Sequence, residues 1–360
     1  MRVRHRSPTS PIDGRPNSLT DLLREEHRMK YRPIGRTSLK ASVVTFGAMG
    51  IGGGFRYPDA DDAVSVRALR AALDRGINVI DTAPVYGFGH SEEVIGEAVR
   101  GRRDDVIIAT KCGLWWGDDE GSYRFTWDGH AVKRNLSPRT IRIEVEESLR
   151  RLGTDRIDIY YTHNPAMPPF MTPIEDTIAT LIELRDEGKI LTIGASNCPP
   201  EDVETYLAHD AIEIVQRKYS LLARGVRDDI LPLCASTGLS LHAYSPLANG
   251  LLTGAFTRFA PPAREGSRRD DPLFGDRFGP AMNLVEGLTA VASSVGTTPG
   301  ALAIAYLLAS SDAVNVICGI RRESHLDDII AGAELDIDAS VTAALDELAE
   351  DLEATAPGTA

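Results

Sequence analysis

Four side chains able to hold or move a proton stand at or just beyond the ends of apolar runs in this chain: Asp81, Tyr86, Lys111 and His163. The stretch NVIDTAPVYGFGHSEE carries an apolar run (Val79, Ile80) out to the carboxylate of Asp81, and a loop then presents the phenol of Tyr86 between Val85 and Gly87. Lys111 closes the next apolar run, VIIATK, and His163 closes the one after it, IDIYYTH. When a carbonyl carbon accepts a hydride, negative charge builds on its oxygen and a donor must supply a proton there. Tyr86 is the expected acid. A phenol titrates near pH ~10 when unperturbed, so it needs a neighbouring cation, and Lys111 supplies one. A buried lysine in turn keeps its charge only beside a carboxylate, the expected role of Asp81. His163 offers an imidazole N–H to orient the carbonyl oxygen, and in the oxidative direction Tyr86 becomes the base. An inert Lys111–Asp81 ion pair with a satisfied core histidine is the plainer alternative; it leaves a loop tyrosine and a histidine at the same strand ends unexplained.

These residues need a frame that brings strand ends together. Strands are predicted at Val43–Phe46, in the Val79–Asp81 run, and at Val106–Lys111, Ile157–His163, Ile190–Ser196, Ile214–Arg217, Ser240–Ser245 and Val314–Gly319. Helical periodicity covers Ala60–Arg75, Glu92–Val99, Pro138–Leu152, Pro173–Glu187, Pro200–Ala208, Arg227–Thr237, Pro280–Val295 with Pro299–Ala309, and Ser324–Ala333. Eight mostly continuous apolar strands alternating with helices indicate a parallel sheet covered by helices, and eight units make a closed (β/α)8 TIM barrel the first choice. Before it, YRPIGRTSLKAS reads as a β-hairpin turning at Gly35; after it, Ser340–Leu352 is an extra C-terminal helix. The domain expectation is a disordered extension over residues 1–30, rich in Arg, Ser and Pro with a short helix at Leu19–Lys30, and one barrel domain over 31–355. The run GAMGIGGGF fails as a dinucleotide fingerprint, because Phe55 stands where the third glycine belongs; it reads as a flexible substrate-side loop.

The order of Asp81, Tyr86, Lys111 and His163, with DTAPVYGFGHSE around the first two, resembles the aldo-keto reductase superfamily, from about Tyr31 to about Leu352. The resemblance implies an NADP-dependent enzyme interconverting an aldehyde or ketone with its alcohol, similar to the bacterial branch that includes inositol, sugar and methylglyoxal reductases. The cofactor would lie extended across the barrel mouth. By position, Ser196, Asn197 and Gln216 would fix its carboxamide, Tyr244 would stack on the nicotinamide, and Ser245, Leu247, Gly250 and Leu251 would follow the pyrophosphate. Gly319, Arg321, Arg322 and His325 form the last turn, where the arginine pair points to a 2′-phosphate and hence to NADP(H). Ile329 and His325 depart from residues common in similar proteins, which leaves NAD(H) use open. A nucleotide-sensing, slowly turning regulatory protein akin to potassium-channel β subunits is the alternative function. The family-like sequence begins just after Met29, so a start of translation there is weighed as well.

Composition sets outer limits. The chain has 360 residues and a formal net charge of −13, against nucleic acid or anionic membrane as the main partner. No apolar run approaches the roughly 20 residues of a membrane helix, and no secretory signal is seen. The four scattered cysteines (Cys112, Cys198, Cys234, Cys318) have no metal spacing and suit a reduced, cytoplasmic setting. A metal-dependent hydrolase on the same barrel lacks a His-x-His or carboxylate cluster at any strand end. All three tryptophans, Trp115, Trp116 and Trp127, fall in the long connection between Lys111 and Pro138; they form either an aromatic wall over a small carbonyl or alcohol substrate such as a sugar or polyol, or a small core of the loop itself. Thr253–Gly279 reads as a lid over the cofactor. Oligomeric state is left open.

Overall fold

Val- and Ile-rich runs bounded by capped helices give the strands their length and parallel pairing. The computed structural model describes residues 29–54, 56–263, 268–269 and 271–354. The expected disordered extension, with its short helix, lies outside the described residues except for Met29 and Lys30, and so does part of the expected lid. A hairpin, β1 (Tyr31–Pro33) and β2 (Lys40–Ser42), precedes β3 (Val44–Gly47), β4 (Val79–Asp81) and β5 (Ile107–Cys112). Three short strands follow, β6 (Leu114–Trp115), β7 (Ser122–Trp127) and β8 (His130–Arg134), and then β9 (Ile157–Thr162), β10 (Ile190–Ser196), β11 (Ile214–Lys218), β12 (Ser240–Tyr244) and β13 (Val314–Gly319). Strands β3, β4, β5 and β9 to β13 close into a parallel barrel, β13 pairing back onto β3. The register sets Gly319 beside Gly47, Gly47 beside Asp81 and Ser196 beside Gln216, so the carboxyl ends share one rim. The fold is the expected (β/α)8 barrel.

The hairpin closes the opposite end. Ile34 and Ala41 pack with Val79, Ile107, Ile159 and Ile214, and the Gly35 N–H donates to Ser240 Oγ at 2.7 Å. Gly35 has φ 52°, and an added Cβ would come 2.4 Å from the Glu213 carbonyl oxygen, so the turn requires glycine. Outside the barrel, the Pro138–Leu152 helix shows why the periodicity was legible. Proline stands in its first turn, Gly153 ends it in the left-handed region (φ 64°), and Ile141, Val145, Leu149 and Leu152 are buried at three- and four-residue spacing. The C-terminal helix, Ala339–Ala354, is held by Arg224, which reaches Asp346 at 3.1 Å and Glu353 at 2.9 Å.

Three elements differ from expectation. The Lys111–Pro138 connection is an antiparallel sheet in the order β6-β8-β7. The glycine-rich run is a buried turn of 3-10 helix, Ala48–Ile51, packed against the site. The helix predicted from Arg227 divides into a 3-10 turn at Gly225–Arg227 and a helix at Ile230–Thr237, where the Asp229 side chain accepts the Ile230 N–H. No single helix among the described residues is long and apolar enough to cross a membrane; the apolar pair Phe278–Ser294 and Pro299–Ala309 is bent by 90°, and the second helix is buried along most of its length.

Candidate active site

Strands β4 and β5 are neighbours, so Asp81 and Lys111 meet inside the rim. Lys111 is fully buried, and its Nζ donates to Asp81 Oδ1 at 2.8 Å and to the Thr82 carbonyl at 2.7 Å. The other Asp81 oxygen accepts Gln216 Nε2 at 2.7 Å. Gln216, expected to fix the carboxamide, therefore also braces the ion pair. Burial draws the Lys111 pKa down while Asp81 opposes it. With both carboxylate oxygens engaged, the pair holds a charge that burial alone would discharge.

Tyr86 follows on a turn shaped by close glycine contacts. An added Cβ at Gly52 would sit 2.8 Å from the Tyr86 carbonyl carbon and oxygen, and one at Gly87, whose φ is 64°, would sit 2.0 Å from the Gly52 carbonyl oxygen. The Ser91 N–H donates to the Tyr86 carbonyl at 3.2 Å. The glycine run thus seats the phenol-bearing turn. Lys111 Nζ lies 5.1 Å from the Tyr86 ring centroid, and the His163 ring meets Tyr86 edge-on with centroids 6.0 Å apart. All four expected side chains therefore gather on the one rim.

His163 is positioned through its backbone: its N–H donates to the Cys112 carbonyl at 2.9 Å, and its carbonyl accepts Asn197 Nδ2 at 2.9 Å. Asn197, with φ 60°, also accepts the Tyr244 hydroxyl at 2.7 Å. Burial, then the charges of Lys111 and Arg124, hold the His163 pKa well below its usual value, so the imidazole is neutral. The Tyr86 phenol departs from expectation. Burial first, and then the charge on Asp81, push it well above its usual value. Tyr86 is therefore a protonated donor across neutral pH. If it is also the base for alcohol oxidation, that reaction should keep accelerating as pH rises through the alkaline range while reduction stays level near neutrality. Initial rates in both directions against pH check this; an oxidation optimum at or below about pH 7 would contradict it.

The expected cofactor positions follow the carboxyl ends of β10, β11, β12 and β13 on the same rim. Ser196 ends β10, and its Oγ accepts Asn197 Nδ2 at 3.1 Å. Tyr244 ends β12, and the turn after it holds Ser245 (φ 57°), Ala248 (φ 46°), Asn249 (φ 55°) and Gly250 (φ 90°) in left-handed conformations. Leu247 is half-buried and packs on the main core. Leu251 is fully buried, so only its backbone is available to a ligand. Gly319 is exposed, and an added Cβ there would meet no atom within 4 Å. Arg321 and Arg322 follow it; His325 Nδ1 accepts the Arg321 N–H at 3.5 Å and so supports their turn, whereas Ile329 is buried in the core. Amide and hydroxyl groups at one end, left-handed backbone in the middle and guanidinium groups at the other fit an extended nucleotide. Arg268, which sequence reasoning missed, belongs here too: its Nε donates to the Asn249 carbonyl at 3.1 Å, tying the Thr253–Gly279 segment to that turn.

The tryptophans divide. Trp115 is buried, its Nε1 bonded to Asp118 Oδ1 at 2.8 Å, with the Arg139 guanidinium 5.7 Å from the ring centroid. It belongs to the fold of the connection. Trp127 and Trp116 pack with Phe88, Phe125 and Tyr86 in one cluster. The Trp127 indole N–H is buried and has no hydrogen-bond partner among the described residues. The four cysteines are free and buried; burial pushes the Cys198 and Cys234 thiols up to about 12.

Behind β5, Glu144 was not anticipated. Its Oε2 accepts the Gly113 N–H at 2.8 Å, two residues past Lys111, and its Oε1 is buried without a partner among the described residues. Burial, opposed by that N–H, pushes the carboxyl up to about 8. The folded state thus holds the proton more tightly than the unfolded chain, so the contribution to stability is complete below an unfolded value of about 4.3 and is lost as pH rises through 8. Glu144→Gln keeps an oxygen for Gly113 and should raise the melting temperature above pH 8 by a few degrees, flattening the alkaline decline. An unchanged slope of melting temperature against pH would contradict the assignment.

A buried Lys–Asp pair, a protonated phenol and a neutral imidazole on the rim of a parallel barrel are equipment that suits a hydride-transfer oxidoreductase. Comparison with known proteins agrees. Residues 43–350 match the Aldo/keto reductase family. The chain is 37% identical over 328 residues to the NADH-specific methylglyoxal reductase of Escherichia coli, covering 90% of this chain and 100% of that one. The glycerol dehydrogenase structure from Gluconobacter oxydans superposes with a TM-score of 0.81 at 31% identity, over 92% of this chain and 98% of that one. An aldo-keto reductase from Klebsiella pneumoniae in complex with NADPH gives a TM-score of 0.68 at 26% identity, over 89% and 95%. This chain belongs to the aldo/keto reductase family, as an NAD(P)-dependent oxidoreductase acting on carbonyl groups.

Proposed function

We propose that the protein reduces a small aldehyde or ketone with Tyr86 as the general acid, in the cytoplasm. The observation that carries this reading is the Lys111 ammonium, paired with Asp81 at 2.8 Å and lying 5.1 Å from the Tyr86 ring centroid. Asp81 and Gln216 hold Lys111 in place, and Lys111 favours the phenolate that forms as Tyr86 gives up its proton. His163 donates an N–H to the carbonyl oxygen and sets its approach to Tyr86. Ser196, Asn197, Gln216 and Tyr244 would hold the nicotinamide end; the backbone from Ser245 to Leu251, the pyrophosphate; Gly319, Arg321, Arg322 and His325, the adenosine end. When bound, the nicotinamide supplies the hydride. The relatives named above include an NADH-specific reductase and an NADPH complex, so both nucleotides are tried as hydride donors.

Trp116 and Trp127 form the substrate wall in this reading, with the unpartnered Trp127 N–H as a donor to a substrate oxygen. Such a wall suits methylglyoxal-like dicarbonyls and small polyol-derived carbonyls. The test is loss of reduced-nicotinamide absorbance with a panel of small aldehydes and ketones, for NADPH and NADH in parallel. Turnover of several members supports the reading, and binding of nucleotide without turnover of any would favour a sensing role.

A further inference from the structure

Arg321 is already engaged. Its Nη1 donates to Asp59 Oδ1 at 2.8 Å, its guanidinium lies 5.4 Å from the centroid of the Tyr57 ring, and its stem rests on Gly50, where an added Cβ would come within 2.7 Å of Cγ and Cδ. All three partners come from the one connection after β3, so that connection fixes where the guanidinium points. The ion pair is not a fold stabiliser of any weight: the side chains are 29% and 61% exposed, and pairs so open to water contribute little. Arg322, next in the chain, is exposed and forms no ion pair with any described residue.

We propose that Asp59 is a specificity-determining residue that biases the rim toward NADH. A 2′-phosphate carries close to two negative charges. To reach Arg321 it must either displace Asp59 or settle beside its carboxylate, and like charges at such range repel. A ribose 2′-hydroxyl meets neither obstacle; it can donate to the carboxylate, the way an acidic residue reads that hydroxyl in other nucleotide sites. Discrimination then comes from a repulsive element as much as from an attractive one. The inference rests on the reading that the rim binds a nicotinamide nucleotide with its adenosine end at Arg321. It turns the arginine pair from a mark of NADP preference into a site whose preference Asp59 holds in check.

The test is equilibrium titration with NADPH and with NADH, followed by nucleotide and protein fluorescence, on wild type, Asp59→Asn, Asp59→Ser, Arg321→Ala and the Asp59→Asn/Arg321→Ala double variant. Asp59→Asn and Asp59→Ser should each tighten NADPH by about tenfold and move NADH by less than about twofold. In the Arg321→Ala background the NADPH gain should shrink to about threefold or less. Equal shifts for the two nucleotides would mean that Asp59 only orders its loop, and no NADPH gain would mean that it does not compete; either overturns the proposal. If wild type binds neither nucleotide, the cofactor reading itself falls, and this inference with it.

Discussion

Tyr86→Phe is expected to lower kcat for carbonyl reduction by roughly a thousandfold while moving the nucleotide Kd by less than about twofold. The substitution removes one oxygen and leaves the ring, whose packing on Ala83, Val85 and Trp127 is apolar. The Gly52 and Gly87 contacts that seat this turn involve backbone, so they survive. What is lost is a phenol that burial and Asp81 keep protonated at neutral pH. His163 cannot take over as acid, since its pKa is held well below its usual value. A variant that retained more than about a tenth of wild-type kcat would show that the proton comes from elsewhere.

Lys111→Met should be damaging in two separable ways. Activity should fall by about as much as in Tyr86→Phe, because no cation would remain to favour the phenolate. Stability should also fall, by roughly 3–5 kcal/mol, because Asp81 would be left as a buried carboxylate with Gln216 as its remaining side-chain donor. In a chain of this size that corresponds to a melting temperature lower by about 4–7 °C. Adding Asp81→Leu removes the orphan charge, so the double variant should regain much of the melting temperature and none of the activity. A single variant that melts like wild type would contradict the buried pair, and a double variant as unstable as the single would contradict the orphan-charge explanation.

The barrel was legible because each of its strands is a continuous apolar run between helices with clear starts and stops, as Pro138 and Gly153 bound one helix. The positions of Asp81, Lys111 and His163 followed from the strand ends alone. The antiparallel sheet in the Lys111–Pro138 connection was missed although it carries a local signal: Asp128 and Gly129, with φ 45° and 81°, make the tight turn between β7 and β8, and Asp-Gly is a hairpin dipeptide. The charges and tryptophans around it hid the alternation, and a bulge at Tyr123 and Phe125 breaks it. Gln216 bracing Asp81, Glu144 under Gly113 and Asp59 on Arg321 are contacts between residues 135, 31 and 262 positions apart. No local pattern announces such contacts. The rise in the Tyr86 pKa was hidden for a related reason: its first cause is burial by residues distant in the chain, and the Asp81 charge that adds to it was expected only as a partner of Lys111.

Single-turnover oxidation of the bound reduced nucleotide by a small aldehyde, in wild type and Tyr86→Phe and in light and heavy water, bears most directly on the claim that this rim couples hydride transfer to proton donation from Tyr86. The expected result is a wild-type transient slowed in heavy water and, on the same timescale, no oxidation in the variant despite full nucleotide occupancy. A variant transient at the wild-type rate, with the same solvent dependence, would contradict it.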